Sequence, residues 1–184
     1  MKKVLVFIAQ GSEEMEAVIV IDILRRAGID VLIAGESWEI VSARRTKIIP
    51  DALIDNLNEN DLFDLVYVPG GSKGVENLAK IQKVGSILEH NYINGKYIAA
   101  ICAGPLVLDH FGILQPGQKL TSHPDTYQHL QKYDYSQDKI VEDNRIITSR
   151  GAGTAIDFAL YLVKLLNGKD ESEKVAQAIV YLNQ

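Results

Sequence analysis

The sequence predicts one α/β domain, an open and mostly parallel sheet sandwiched by helices. Three observations carry this expectation. Short apolar runs alternate with helix-period segments along the chain. The runs Val4-Leu5-Val6-Phe7-Ile8 and Leu65-Val66-Tyr67-Val68 are apolar throughout rather than alternating, as strands covered on both faces require. A length of 184 residues suits one compact domain over 1–184 and is short for two.

In chain order, residues 3–9 read as a buried strand and 13–27 as a helix ended by Gly28. Residues 31–34 form the next strand, followed by a turn at Gly35-Glu36-Ser37. Residues 39–42 and 47–49 are short enough for a peripheral hairpin. The strand 65–68 stops at Pro69-Gly70-Gly71, and 75–92 reads as one helix. Residues 97–101 form a strand, and 103–110 a helix closed by Gly112. A hairpin of 139–141 and 145–148 turns at Glu142-Asp143-Asn144, and helices are expected over 154–166 and 171–182. No repeat or linker interrupts this order.

Composition removes several function classes. Lys plus Arg number 19 against 24 Asp plus Glu, a net charge of −5, so no basic field gathers nucleic-acid phosphates. The single cysteine, Cys102, excludes an intrachain disulfide and any multi-cysteine zinc or iron-sulfur site. A reduced thiol in a cytoplasmic setting is the expectation. Met1-Lys2-Lys3 is followed by a short apolar run that meets Glu13, Glu14 and Glu16, so no export signal is expected. The longest uncharged stretch, residues 97–108, is well below the ~20 residues that span a bilayer.

In open parallel sheets, ligands sit beyond the carboxyl ends of strands. That rule singles out Gln10-Gly11-Ser12, Pro69-Gly70-Gly71, Cys102-Ala103-Gly104 and Ser149-Arg150-Gly151. Cys102 occupies a strand-to-helix turn between the small residues Ala100 and Gly104, the layout of a nucleophile elbow. A helix N-terminus there favours thiolate and is expected to hold the thiol below its free value of about 8.5. A lone cysteine is also commonly a small buried hydrophobe, and the turn by itself leaves both roles open.

Glu16 shares a helix face with Ile19, Val20, Ile23 and Ala27, the stripe expected to face the sheet. Burial and a nearby thiolate would hold such a carboxyl protonated and able to shuttle a proton. A helix-start role complementing the dipole suits Glu13 and Glu14 better. Of the histidines at 90, 110, 123 and 129, His123 lies in the extended loop Thr121-Ser122-His123-Pro124, where it is a candidate base. Taken alone, a loop histidine is more often solvated surface. Gly70, Gly71 and the amide of Ala103 are candidates for an oxyanion hole, although Pro-Gly-Gly is also a common turn. No histidine and carboxylate grouping has zinc-ligand spacing, so no metal site is expected.

Taken together, these segments resemble the ThiJ/PfpI superfamily, in its DJ-one branch of parkinsonism-associated deglycase and cofactor-independent glyoxalase type. The likeness runs through Gly11-Ser12-Glu13-Glu14-Met15-Glu16, Arg25-Arg26-Ala27-Gly28-Ile29, Pro50-Asp51-Ala52 and Val68-Pro69-Gly70-Gly71. It continues through Ala99-Ala100-Ile101-Cys102-Ala103-Gly104-Pro105, Thr121-Ser122-His123-Pro124 and Thr148-Ser149-Arg150-Gly151-Ala152-Gly153-Thr154. The resemblance implies a flavodoxin-like, class I glutamine amidotransferase-like fold. It implies Cys102 as an oxidation-prone nucleophile, Glu16 as its protonated partner and His123 beside them. It also implies a homodimer with the first helix at the interface. An arginine of the neighbouring subunit, best matched by Arg44, would reach the pocket with Glu13 and Arg26 around it. Ala152 replaces a proline common in the family, and Ile49 stands where some members carry a second cysteine.

The implied activity is a cofactor-independent conversion of methylglyoxal, glyoxal or their early adducts with thiols and amines to hydroxy acids. The alternative is an oxidative-stress sensor or redox-regulated chaperone that works by oxidation of Cys102 to sulfinate. Two related chemistries fit less well. The PfpI-type peptidases have histidine directly after the nucleophile, where this chain has Ala103, and glutamine amidotransferases need a late His-Pro-Glu, whereas no histidine follows His129.

Overall fold

The apolar runs form the strands of a seven-stranded sheet in a computed structural model that describes residues 1–181. The chain opens with β1 (Lys3–Ile8), α1 (Glu14–Arg26) and β2 (Asp30–Gly35), then β3 (Ile40–Val41), β4 (Lys47–Ile48) and β5 (Ala52–Leu53). Next come β6 (Leu65–Val68), α2 (Ser72–Leu78), α3 (Gln82–Ile93), β7 (Tyr97–Ile101) and α4 (Pro105–His110). The last third holds β8 (Lys119–Leu120), α5 (Tyr127–Leu130), β9 (Asp134–Tyr135), β10 (Ile140–Asp143), β11 (Ile146–Ser149), α6 (Ala155–Asn167) and α7 (Lys169–Ala178).

The sheet order is β10-β11-β7-β6-β1-β2-β5, parallel except for the β10–β11 pair. Among the main parallel strands, the second lies beside the first, followed by the third, fourth and fifth, which is the flavodoxin order. The order reverses between β1 and β6, and it is at such a reversal, beyond the carboxyl ends of the strands, that open α/β sheets bind ligands.

Strand alternation divides the core between two helical layers. Val4, Val6 and Ile8 face α1 and α6, whose contributions include Val20, Ile23, Phe158 and Leu162. Leu5, Phe7 and Ala9 face the opposite layer, with Leu78, Val84, Leu88 and Val107. All six of these strand residues are fully buried, which accounts for their continuous apolar reading.

Several local expectations change. The helix expected over 75–92 is two, because Leu78 and Val84 are both fully buried in the same core cluster. In one continuous helix, six positions would leave them roughly 120° apart. A break at 79–81 brings both inward. Glu142 and Asp143 belong to β10, and the hairpin turns instead at Asn144 and Arg145, both at positive φ (48° and 65°). The last helix starts two residues early at Lys169 and ends at Ala178, while Leu182 of the expected span lies outside the described residues. The small parallel pair β8–β9, α5 and the edge strand β5 were not read from the sequence. They are two to four residues long, too short to show a period.

The loops after β1 and β6 pack backbone to backbone. Glu13 donates its N–H to Gly70 O at 3.0 Å, and Gly71, at φ +87°, has no room for a Cβ, which would stand 2.4 Å from Gly11 O. A Cβ at Gly74 would stand 2.6 Å from both N and Cα of Ser12. Gly74→Ala, which in an open helix would gain up to about 1 kcal/mol, is therefore expected to destabilise by about 1–3 kcal/mol, measurable by urea unfolding.

Candidate active site

Cys102 directly follows β7 at φ +62°, a left-handed conformation that costs a residue with a side chain about 1–3 kcal/mol. Neighbouring strands and loops hold it there. Cys102 N–H donates to Ser149 O at 2.9 Å, and His123 N–H donates to Cys102 O at 3.0 Å. Gly104 lets the turn close, since a Cβ there would stand 2.6 Å from Val68 O.

Glu16 reaches this turn from the inner face of α1 and is only 1% exposed. Its carboxyl meets the Cys102 thiol and accepts the N–H of Gly70 at 2.8 Å and that of Ala152. Its own carbonyl accepts the hydroxyl of buried Tyr67 at 3.0 Å, which fixes this point of the helix against β6. Gly70 has to be glycine for the contact, because a Cβ would stand 2.6 Å from Glu16 Oε2 and 2.7 Å from Cys102 Cβ.

Burial pushes the Glu16 carboxyl up to about 7, the Glu13 charge adds to the rise, and the hydrogen bonds from Cys102, Gly70 and Ala152 oppose it. Burial, followed by the charge and hydrogen bond of Glu16, pushes the Cys102 thiol up to about 12, against the amides of Ala103 and Gly71. The depressed thiol value expected from the helix terminus is thus corrected. Two backbone amides do not outweigh burial beside a carboxylate. The two groups titrate as one pair, and losing both protons would leave adjacent buried anions, so the pair retains at least one proton across neutral pH.

His123 stands across the cleft with a side chain 43% exposed. Its Nδ1 accepts the N–H of Asp125 at 3.3 Å and lies 3.5 Å from the Asp125 carboxylate; with the amide as its hydrogen-bond partner, the neutral ring carries its proton on Nε2. Gly151 leaves the gap between His123 and Cys102 open: a Cβ there would stand 3.5 Å from His123 Cδ2 and 3.9 Å from Cys102 Sγ. The open cleft above the sulfur measures about 520 Å³ and is lined by Glu16, Gly71, Cys102, Ala103 and His123, with Glu13 and Arg44 at its side.

Three expected site residues stand differently from the sequence reading. Gly70 does not serve the oxyanion, because its N–H is committed to Glu16; the amides of Gly71 and Ala103 face the sulfur instead. Arg44 lines the cleft of its own chain, where Glu14 accepts its backbone N–H at 3.0 Å. Arg26 is not on this cleft and pairs with Asp22 at 2.6 Å near the end of α1. Sequence reasoning missed the amide of Ala152, and also Asp125 and Thr126 as lining residues. A backbone amide carries no side-chain signal, and the loop 124–126 becomes part of the site only through its packing. Among the described residues, no group of three or more His, Cys, Asp or Glu is placed to hold a metal ion, and no helix is long and apolar enough to cross a membrane.

The model of the DJ-1/PfpI family matches residues 2–165. The chain belongs to the DJ-1/PfpI family. It is 42% identical over 183 residues to Protein dj-1beta of Drosophila melanogaster, covering 97% of each chain. The crystal structure of that protein superposes with a TM-score of 0.94 at 40% identity, covering 99% of both chains. Glutathione-independent glyoxalase DJR-1.2 of Caenorhabditis elegans is 35% identical over 173 residues, 92% of this chain and 91% of that protein. Protein DJ-1 homolog B of Arabidopsis thaliana is 38% identical over 179 residues, 96% of this chain, which spans only 40% of that protein's length. The flavodoxin-like architecture is therefore that of the DJ-1/PfpI family.

The raised Glu16 value makes stability depend on pH. The folded protein holds a proton on Glu16 up to about pH 7, whereas the ordinary carboxyl value is 4.5. This contribution is complete below pH 4.5 and is lost as pH rises through 7. Glu16→Gln removes it, so the variant is expected to gain on wild type by on the order of 3 kcal/mol across that window. Urea midpoints measured at stepped pH read the slope.

Proposed function

We propose that this protein is a cofactor-independent glyoxalase of deglycase type, acting on methylglyoxal, glyoxal or their early adducts with thiols and amines. The observation that carries this reading is a buried carboxyl in contact with a thiol at the floor of an open cleft. The name of the C. elegans relative supports the same chemistry.

In this reaction the Cys102 sulfur attacks the aldehyde carbon of methylglyoxal, and the new alkoxide takes the proton held by Glu16, giving a hemithioacetal. The Glu16 carboxylate then removes the C1 hydrogen as a proton, the electron pair moves to form an enediol, and the proton returns at C2. C1 is oxidised to a thioester while C2 is reduced to an alcohol, so the redox change balances within the substrate. Water cleaves the thioester, releases lactate and returns the thiol. The amides of Gly71 and Ala103 stabilise charge at the attacked carbon, and His123 assists proton transfer to and from water.

A second reading, oxidative-stress sensing or redox-regulated chaperone action, is favoured by the same amides around the sulfur. Two equivalents of peroxide would convert the thiolate to sulfinate with release of two waters, and Glu16 with Gly71 and Ala103 would hold its oxygens. A cytoplasmic location goes with either reading.

We also infer a symmetric homodimer through α1, supported by Met15 (51% exposed) and Val18 (47%) on its outer face. Sedimentation at micromolar concentration is expected to show a dimer, and a monomer would remove any role for Arg44 or Arg26 in a neighbouring subunit.

Lactate release from methylglyoxal without glutathione tests the main reading. Cys102→Ala is expected to be inactive. Glu16→Gln keeps a donor to the sulfur and cannot relay a proton, so turnover is expected to fall about 10² to 10⁴-fold while peroxide still yields sulfinate by mass spectrometry. Wild-type turnover in Glu16→Gln would discard the enediol route and leave the sensor reading.

A further inference from the structure

The loop that presents His123 is tied by three hydroxyl groups that the reaction above does not use. Ser122 is fully buried and Thr126 is 7% exposed, although both lie beside an open cleft. Their Oγ atoms stand 2.7 Å apart. Thr126 Oγ1 donates to His123 O at 2.8 Å, and Thr126 N–H donates to the same carbonyl at 2.9 Å. Tyr135 OH donates to Ser122 O at 3.0 Å, the carbonyl on the other side of His123.

One arrangement of the three protons uses the shortest contacts, and Ser122 Oγ also lies 3.2 Å from Tyr135 OH and 3.4 Å from His123 O. The Tyr135 proton goes to the Ser122 carbonyl and the Thr126 proton to the His123 carbonyl, which leaves the Ser122 hydroxyl to donate to Thr126 Oγ1. The carbonyls flanking His123 on both sides are thus pinned by hydroxyls, while its N–H is held by Cys102 O. Tyr135 is in turn held by β9, whose pairing with β8 sets it opposite Leu120, and by its ring, edge-on to Tyr127 at 5.0 Å between centroids.

We propose that Thr126, Ser122 and Tyr135 form a clamp that positions His123 against the nucleophile turn, with Thr126 as its central positioning residue. The geometry explains why a histidine on a loop of irregular backbone can act as a fixed base. The clamp holds the 3₁₀ turn 124–126, that turn presents the Asp125 N–H to Nδ1, and the bond keeps the proton on Nε2. Without the Thr126 hydroxyl the turn loses a bond to the His123 carbonyl, and buried Ser122 loses its shortest contact and keeps only the longer ones to Tyr135 OH and His123 O. The ring is then free to rotate and exchange tautomers. None of the three hydroxyls touches the reacting atoms, so the effect is on placement.

The kinetic arm rests on the glyoxalase reading, and a spectroscopic arm does not. Thr126→Val keeps the shape and removes the hydroxyl. It is expected to lower kcat for methylglyoxal about 10- to 100-fold with KM near wild type, and Thr126→Ser to restore most of the rate. Because Thr126 also lines the cleft, Tyr135→Phe, whose ring does not, is the second variant and is expected to move kcat in the same direction.

Independently of turnover, histidine ¹⁵N spectra, assigned by comparison with His123→Gln, are expected to show distinct Nδ1 and Nε2 signals for His123 in wild type and in Thr126→Ser. In Thr126→Val and Tyr135→Phe the two signals are expected to converge as tautomers exchange. Wild-type kcat with an unchanged ¹⁵N pattern in both variants overturns the clamp, and the Tyr135→Phe result decides alone if Thr126→Val does not fold. A wild-type protein that makes no lactate but shows convergence in the variants keeps the clamp and removes the glyoxalase reading.

Discussion

The contact between the Glu16 carboxyl and the Cys102 thiol places demands on every element around it. A carboxyl that is 1% exposed has lost its water and must find hydrogen bonds in the protein. It finds the N–H of Gly70 from the loop after β6, that of Ala152 from the loop after β11, and the thiol itself. Three strand ends of one sheet therefore converge on a single side chain carried by the first helix. Glycine at 70 follows from this crowding, since any side chain would occupy the position of the carboxyl or of the Cys102 Cβ.

The parallel sheet makes that convergence rigid. Cys102 is strained at φ +62°, and the strain persists because its N–H is tied to β11 and its carbonyl to the His123 loop. Cys102 and His123 are linked through a backbone bond as well as through proximity. Such an arrangement suits preorganised chemistry, in which little has to move when substrate enters.

Electrostatics at the sulfur is a competition whose outcome depends on Glu16. The amides of Gly71 and Ala103 favour negative charge on sulfur, while burial and an ionised Glu16 oppose it more strongly. With the proton on Glu16 the Coulomb opposition vanishes, and burial is left as the main opposition to the amides. Moving a proton between carboxyl and sulfur is the relay that the proposed reaction needs.

Much of this protein is legible in its sequence because burial on both faces leaves a direct trace. The apolar runs of β1 and β6, the stripe on α1 and the small residues around Cys102 each report a local requirement, and Glu16 stands out as a carboxyl on an apolar face. The sequence by itself determined the α/β class and the order of the main elements, and it singled out Cys102 and Glu16, the proposed nucleophile and its acid. Only the tertiary structure decided the break between α2 and α3, the commitment of the Gly70 amide to Glu16, the amide of Ala152 and the upward direction of the thiol's pKa. Periodicity and turn chemistry are written residue by residue, whereas desolvation and the destination of a backbone N–H depend on what distant parts of the chain bring alongside.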